Sequence, residues 1–131
     1  MGIPWDELGT AARAASRLAY CPYSGFHVGA AVLANDQIFT GANIENASYG
    51  LTICAERTAV FAAVLAGATT LEALAVACPD VPAGSPRPEI MPCGACRQVL
   101  AEFARPDLPI LVDGAGTFRL DELLPWAFHL R

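Results

Sequence analysis

Three cysteines, a glutamate and an arginine carry the residue types and spacings in this chain that could do chemistry. Cys93 and Cys96 stand as Cys-x-x-Cys directly after Pro92, and Cys54 heads the stretch Cys-Ala-Glu-Arg at 54–57. A Cys-x-x-Cys alone is ambiguous between a redox pair, half a structural zinc site and chance. Both thiol groups, however, fall where a helix would begin. Free N–H groups and the helix dipole favour thiolate there, and thiolate is the form that binds metal. Three thiolates suit Zn²⁺ at about 2.3 Å each. No fourth ligand is evident. Cys21 and Cys78 each precede a proline among apolar neighbours and read as small buried hydrophobes, while His27 and His129 lack a partner at ligand spacing and read as packing or surface residues. Three ligands without a fourth keep a position open for water, which marks a catalytic rather than a structural zinc site.

Glu56 and Arg57 acquire roles from that reading. Glu56, two residues after Cys54, can face the same cavity and take a proton from a water whose pKa zinc lowers to about 7. Taken alone, it reads equally as a complement to the helix dipole. Three thiolates leave a divalent ion with one net negative charge, which blunts it as a Lewis acid. A guanidinium hydrogen-bonded to the thiolates offsets that charge. Arg57 is the first candidate and Arg97 the second; each also reads as part of a solvated helix face.

These residues need elements to hold them. Residues 4–19 predict a helix, with Pro near its first turn, acids early and arginines late. The stretch 20–25 breaks it. Residues 26–34 and 37–43 predict two strands around a tight Asn35-Asp36 hairpin, and 44–51 an irregular polar loop. Helices are expected over 52–67 and 93–105, strands over 71–78 and 109–113, and a short terminal helix in 121–130. The proline-rich stretch 79–92 reads as a surface loop with an extended middle. The order α-β-β-α-β-α-β predicts a mixed sheet with helices on its faces. Its third and fourth strands are parallel and joined by a right-handed crossover.

Composition narrows the class. A chain of 131 residues predicts a single domain spanning 1–131. It is 54% hydrophobic and 16% charged, against roughly 25% charged in ordinary domains. So little polar material predicts a homo-oligomer with apolar interfaces. No apolar run approaches the roughly 20 residues of a membrane span, and the acidic start MGIPWDEL lacks a hydrophobic signal segment, so a cytoplasmic location is expected. The net charge is −5 and all eight basic residues are arginine. Without lysine there is no lysine Schiff-base chemistry, and without a basic stripe a small molecule is favoured over nucleic acid.

Cys54-Ala55-Glu56 followed by Pro92-Cys93-Gly94-Ala95-Cys96 has the form of the zinc deaminase signature. Over nearly its whole length the chain resembles the short homotetrameric cytidine deaminases, through PYSGFHVGAA (22–31), TGANIENASYGLTICAER (40–57), MPCGACRQVL (91–100) and LLPWAFHL (123–130). The resemblance implies a three-layer α/β/α fold around a five-stranded mixed sheet. It also implies one Zn²⁺ per subunit on Cys54, Cys93 and Cys96, with Glu56 as proton carrier and Arg57 against the thiolates. Phe26, Asn43, Glu45 and Ala55 would bind the nucleoside, Asn43 and Glu45 at the ribose and Phe26 near the base. Phe128 would be lent by a neighbouring subunit of a homotetramer. The activity implied is hydrolysis of cytidine and 2′-deoxycytidine to the uridine forms plus ammonia, in pyrimidine salvage. The alternative is an aminohydrolase of the same fold for another cytosine-containing small molecule, such as a nucleoside antibiotic.

Overall fold

A computed structural model describes residues 2–82 and 89–130. It contains α1 (Trp5–Ser16), β1 (Gly29–Ala34), β2 (Gln37–Ala42), α2 (Ala55–Leu65), β3 (Ala73–Ala77), α3 (Gly94–Phe103), β4 (Pro109–Val112), β5 (Gly116–Arg119) and α4 (Leu120–Leu123). The five strands form one sheet in the order β2-β1-β3-β4-β5. The β3–β4 pair is parallel, as the crossover through α3 requires, and the other pairs are antiparallel. No helix among the described residues is long and apolar enough to cross a membrane.

The period-2 alternation of the strands sorts the core into two layers. Ala31 and Leu33 of β1 and Ala73, Ala75 and Ala77 of β3 face α1, where they bury Leu8 and Ala12. Ala30, Val32 and Ala34 of β1, Leu74 and Val76 of β3, and Ile110 and Val112 of β4 face α2 and α3, against Val60, Ala63 and Leu100. Small residues let the helices lie close. A Cβ on Gly29 would stand 1.9 Å from the carbonyl oxygen of Ala12 in α1, and one on Gly41 would stand 2.3 Å from the amide nitrogen of Ala59 in α2. Each large side chain fully buried in these layers contributes about 1.5–3 kcal/mol.

Several boundaries differ from expectation for local reasons. The hairpin forms as predicted, with Asn35 and Asp36 both at positive φ (52° and 57°), the conformation of a two-residue type I′ turn. β1 begins at Gly29 rather than at 26, because the amides of Phe26, His27 and Val28 bond to side chains instead of to a strand. The second helix begins at Ala55 rather than at 52, since Ile53 bridges back to Ile44 in extended conformation. The loop 44–51 includes a 3₁₀ turn at Tyr49–Leu51. The terminal helix is only Leu120–Leu123: Pro125 lacks an N–H and pushes Leu124 out of the helical region, and Trp126 comes next at φ 57°. The stretch after β4, for which the residue pattern predicts no strand, supplies β5. The middle of the proline-rich loop lies outside the described residues.

Candidate metal centre and substrate cavity

The parallel β3–β4 arrangement sets α2 and α3 side by side with their N-termini on one side of the sheet. Each helix places a cysteine at its N-cap. Cys54 caps α2 at φ −72°, ψ 157°, and Cys93 caps α3 at φ −71°, ψ 168°. Neither side chain makes the usual capping bond to its own helix, so both sulfurs are free for something else. Cys96 stands three residues on from Cys93, one turn into α3. The three Sγ atoms lie within 4.8 Å of one another, with Cys54–Cys93 at 3.8 Å and Cys93–Cys96 at 3.4 Å. A tetrahedral ion about 2.3 Å from each sulfur would space them about 3.8 Å apart, so the donor set and its spacing fit zinc.

The electrostatics of the thiols agree. Cys54 is lowered to about 5, chiefly by a hydrogen bond with the Cys96 thiol; burial opposes this, and Arg57 and Cys93 assist. Cys96 is pushed up, first by that same bond and then by burial. Arg57 Nη2 donates to Cys54 Sγ at 3.5 Å, which raises the guanidinium's own pKa despite burial. Its buried Nε has no partner among the described residues. Arg97, the second candidate for that position, points elsewhere. Its Nε and Nη1 donate to the carbonyls of Pro92 and Leu123, each at 2.7 Å, so it ties the start of α3 to the end of α4.

Glu56, second residue of α2, is 4% exposed. Burial pushes its carboxyl up to about 7, against its own backbone amide; the Cys54 thiolate adds to the rise and Arg57 opposes it. A carboxyl balanced near neutrality can both take and give a proton. The turn that carries it is fixed from below. Thr58 Oγ1 donates within 2.9 Å of both the Ala42 and the Ala55 carbonyls, and the bare Cα of Gly41 lets that turn lie flat on β2.

A cavity of about 220 Å³ opens in front of these groups. Phe26, Val28, Asn43, Thr52, Cys54, Ala55, Glu56, Cys78 and Cys93 are among its lining. Thr52 also lines a second cavity of about 280 Å³, shared with Tyr23, Ser24, Glu45, Asn46 and Tyr49. Joined, the two reach the roughly 300–1,000 Å³ of ligand sites. Glu45, Glu56 and Glu89 line them, and no described lining residue is basic.

The structure therefore places Cys54, Cys93, Glu56, Ala55, Phe26 and Asn43 in the lining of one cavity, Cys96 and Arg57 against its thiols, and Glu45 in the adjoining cavity. Asn43 and Glu45 are not idle side chains. Asn43 Oδ1 accepts from the Val28 amide at 2.9 Å and its Nδ2 donates to the Phe26 carbonyl at 2.8 Å, leaving one N–H without a partner among the described residues. Glu45 Oε1 accepts the amides of Tyr23 (3.0 Å) and Ser24 (3.1 Å), and Oε2 accepts the Ser24 hydroxyl. Phe128 is 67% exposed and lines neither cavity; its carbonyl accepts from Gln98 Nε2 at 2.9 Å. His27 pairs with Asp80 at 2.8 Å on the surface, and His129 lines a groove beside α4.

Three lining residues escape a reading of the sequence. Cys78, expected as a buried hydrophobe, is a cavity residue whose thiol burial and Glu56 push up to about 12. Thr52 and Ser24 carry no motif of their own. A serine two residues before Phe26 in a Gly-containing turn is the signal available for the latter.

Comparison with known proteins agrees with this geometry. Residues 5–112 match the family described as the cytidine and deoxycytidylate deaminase zinc-binding region. The cytidine deaminase of Halalkalibacterium halodurans is 50% identical over 115 residues, covering 84% of this chain and 83% of its own. That of Mycobacterium tuberculosis is 47% identical over 130 residues, covering 98% and 92%. The crystal structure of the latter superposes with a TM-score of 0.85 at 45% identity, over 98% of this chain and all of its own.

Proposed function

The chain belongs to the cytidine and deoxycytidylate deaminase family, and from that premise we propose that it hydrolyses cytidine and 2′-deoxycytidine to the uridine forms plus ammonia. The observation that carries this reading is the convergence of three thiols beside a buried carboxyl in a cavity sized for a small ligand. Cys54, Cys93 and Cys96 would hold one zinc ion. When bound, zinc supplies Lewis acidity that makes water acidic enough to attack at neutral pH.

The chain's own groups do the rest. Glu56 takes a proton from the attacking water, passes it to ring N3 as C4 is attacked, and then carries a second proton to the departing amine. Arg57 offsets the negative charge of the thiolates. Phe26 and Ala55 enclose the ring, while the second N–H of Asn43 and the remaining lone pair of Glu45 meet sugar hydroxyls. The lining, acidic and without a basic group among the described residues, favours a neutral nucleoside over a phosphorylated one. Relatives named as cytidine deaminases favour cytidine over another cytosine-containing small molecule.

A homotetramer that shares its active sites is part of the same reading. Its support is the apolar surface around the second cavity, where Tyr20, Tyr23, Ile44, Tyr49 and Leu51 are exposed, and the uncovered Phe128. Placement in cytoplasmic pyrimidine salvage goes with that assignment. The test is to quantify zinc and to follow ultraviolet absorbance on incubation with cytidine. About one zinc per chain and loss of the cytidine band are expected. A metal-replete protein that leaves cytidine intact would overturn the proposal.

A further inference from the structure

Residues 20–28 wall both cavities, yet they belong to no helix or strand. What fixes them is a set of side-chain bonds, and one side chain stands at their centre. Ser24 Oγ donates to Glu45 Oε2 and accepts the Phe26 amide at 2.9 Å. The Ser24 amide also donates to Glu45 Oε1 at 3.1 Å. Gly25, at φ 69°, makes the tight turn that lets residues 24 and 26 meet across one hydroxyl, with its own amide returned to the Cys21 carbonyl at 2.9 Å.

One hydroxyl thus bridges the carboxylate in one cavity and the aromatic wall of the other. It also decides how Glu45 is presented. A carboxylate offers about four acceptor sites. Tyr23 N–H, Ser24 N–H and Ser24 O–H occupy three of them, leaving one lone pair, on Oε2, for a ligand.

We propose that Ser24 is a positioning residue for substrate binding, acting through Glu45 and Phe26: its hydroxyl aims the carboxylate's one open acceptor site and sets the register of the ring wall against it. This rests on the reading of Glu45 as a sugar-binding residue. Ser24 itself has a single hydrogen to donate, and Glu45 takes it. Removing the hydroxyl leaves the carboxylate with two undirected acceptor sites and frees the Phe26 amide, so binding weakens while the proton chemistry at Glu56 is untouched.

The test is a double-mutant cycle on the zinc-loaded enzyme, with KM and kcat for cytidine. Ser24→Ala raises KM about tenfold and changes kcat less than twofold, whereas Ser24→Thr, which keeps the hydroxyl, stays within about threefold of the parent. In a Glu45→Gln background Ser24→Ala adds a smaller change, about threefold or less, because only the part acting through Phe26 remains. Melting temperatures of all variants are compared, and the Thr variant carries the test if the Ala variant is unstable. An unchanged KM in Ser24→Ala, or the same tenfold effect in both backgrounds, overturns the role of Ser24. Glu45→Gln with an unchanged KM overturns instead the sugar-binding reading beneath it.

Discussion

The two ends of the paired cavities, which share Thr52 in their walls, are built on opposite plans. At the thiol end the functional groups ride on the first turns of two packed helices and make few bonds to anything else. Among the described residues the Glu56 carboxyl bonds to no other side chain, and the N-cap sulfurs decline the capping bond. Along the remaining walls, from Phe26 and Asn43 to Glu45, the chain is irregular and the polar side chains are already bonded to backbone. Asn43 holds Phe26 and Val28, and Glu45 holds Tyr23 and Ser24. Regular structure frees side chains for chemistry, while irregular structure must recruit side chains to hold itself. Substitutions at the thiol end should therefore act on turnover and metal, and those at the other end on binding.

Glu56→Gln tests that contrast hardest. It should keep zinc and fold while kcat falls by about 10²–10⁴-fold, as loss of a general acid–base group does. Retention of a tenth of the parental kcat would remove Glu56 from the proton path. Gly41→Ala comes next. A methyl there meets the Ala59 amide and the Ala55 carbonyl (2.3 and 2.7 Å), neither of which can swing aside. A loss of about 2 kcal/mol or more in denaturant unfolding is expected, together with faster zinc loss to a chelator as the first turn of α2 lifts. Unaltered stability and zinc retention would mean that the contact does not set the height of α2. Arg57→Ala should weaken zinc affinity about 10–100-fold with unfolding unchanged, read by competition with a chromophoric chelator. If both affinity and activity survive, the guanidinium does not serve the thiolates.

The smallest effect belongs to the other end. The Ser24 hydroxyl, with the amides of Ser24 and Tyr23, holds the Glu45 carboxyl below its ordinary value. A carboxyl depressed on folding contributes stability above its unfolded pKa of about 4.3 and loses it as pH falls through the folded value. The Tyr23 and Ser24 amide shifts should therefore titrate together, with a midpoint below that of a free glutamate. Amides that stay flat, or that titrate unchanged in Glu45→Gln, would show that the carboxylate does not hold this loop.

Much of the thiol end was legible in the sequence because helix-start chemistry is local. Cys54, Cys93 and Cys96 declare themselves by their spacing and by the helix-forming residues after them. Arg57 and Arg97 could be ranked but not separated, since both sit beside a ligand. Only the fold shows that Arg97 reaches the Pro92 and Leu123 carbonyls instead. Four strands were legible as short β-rich or apolar runs, whereas β5 followed only from the resemblance, because four residues after a Gly-rich turn carry too little periodicity. Ser24 and Asp80 were invisible for a different reason. Each matters through a bond to an amide whose position depends on how the loop folds.

Three successive amides, those of Phe26, His27 and Val28, are each held by a side chain from a different part of the chain: Ser24, Asp80 and Asn43. The ring wall is in this sense suspended from three independent tethers rather than cast in one piece. A lineage under selection for a new nucleoside need not touch Phe26 to move it. Altering one tether shifts one residue of the wall by a small amount and leaves the metal and proton machinery as it was. Substrate range in this scaffold should therefore drift through substitutions such as those at Asp80, a residue outside both cavities, that look unrelated to the ligand.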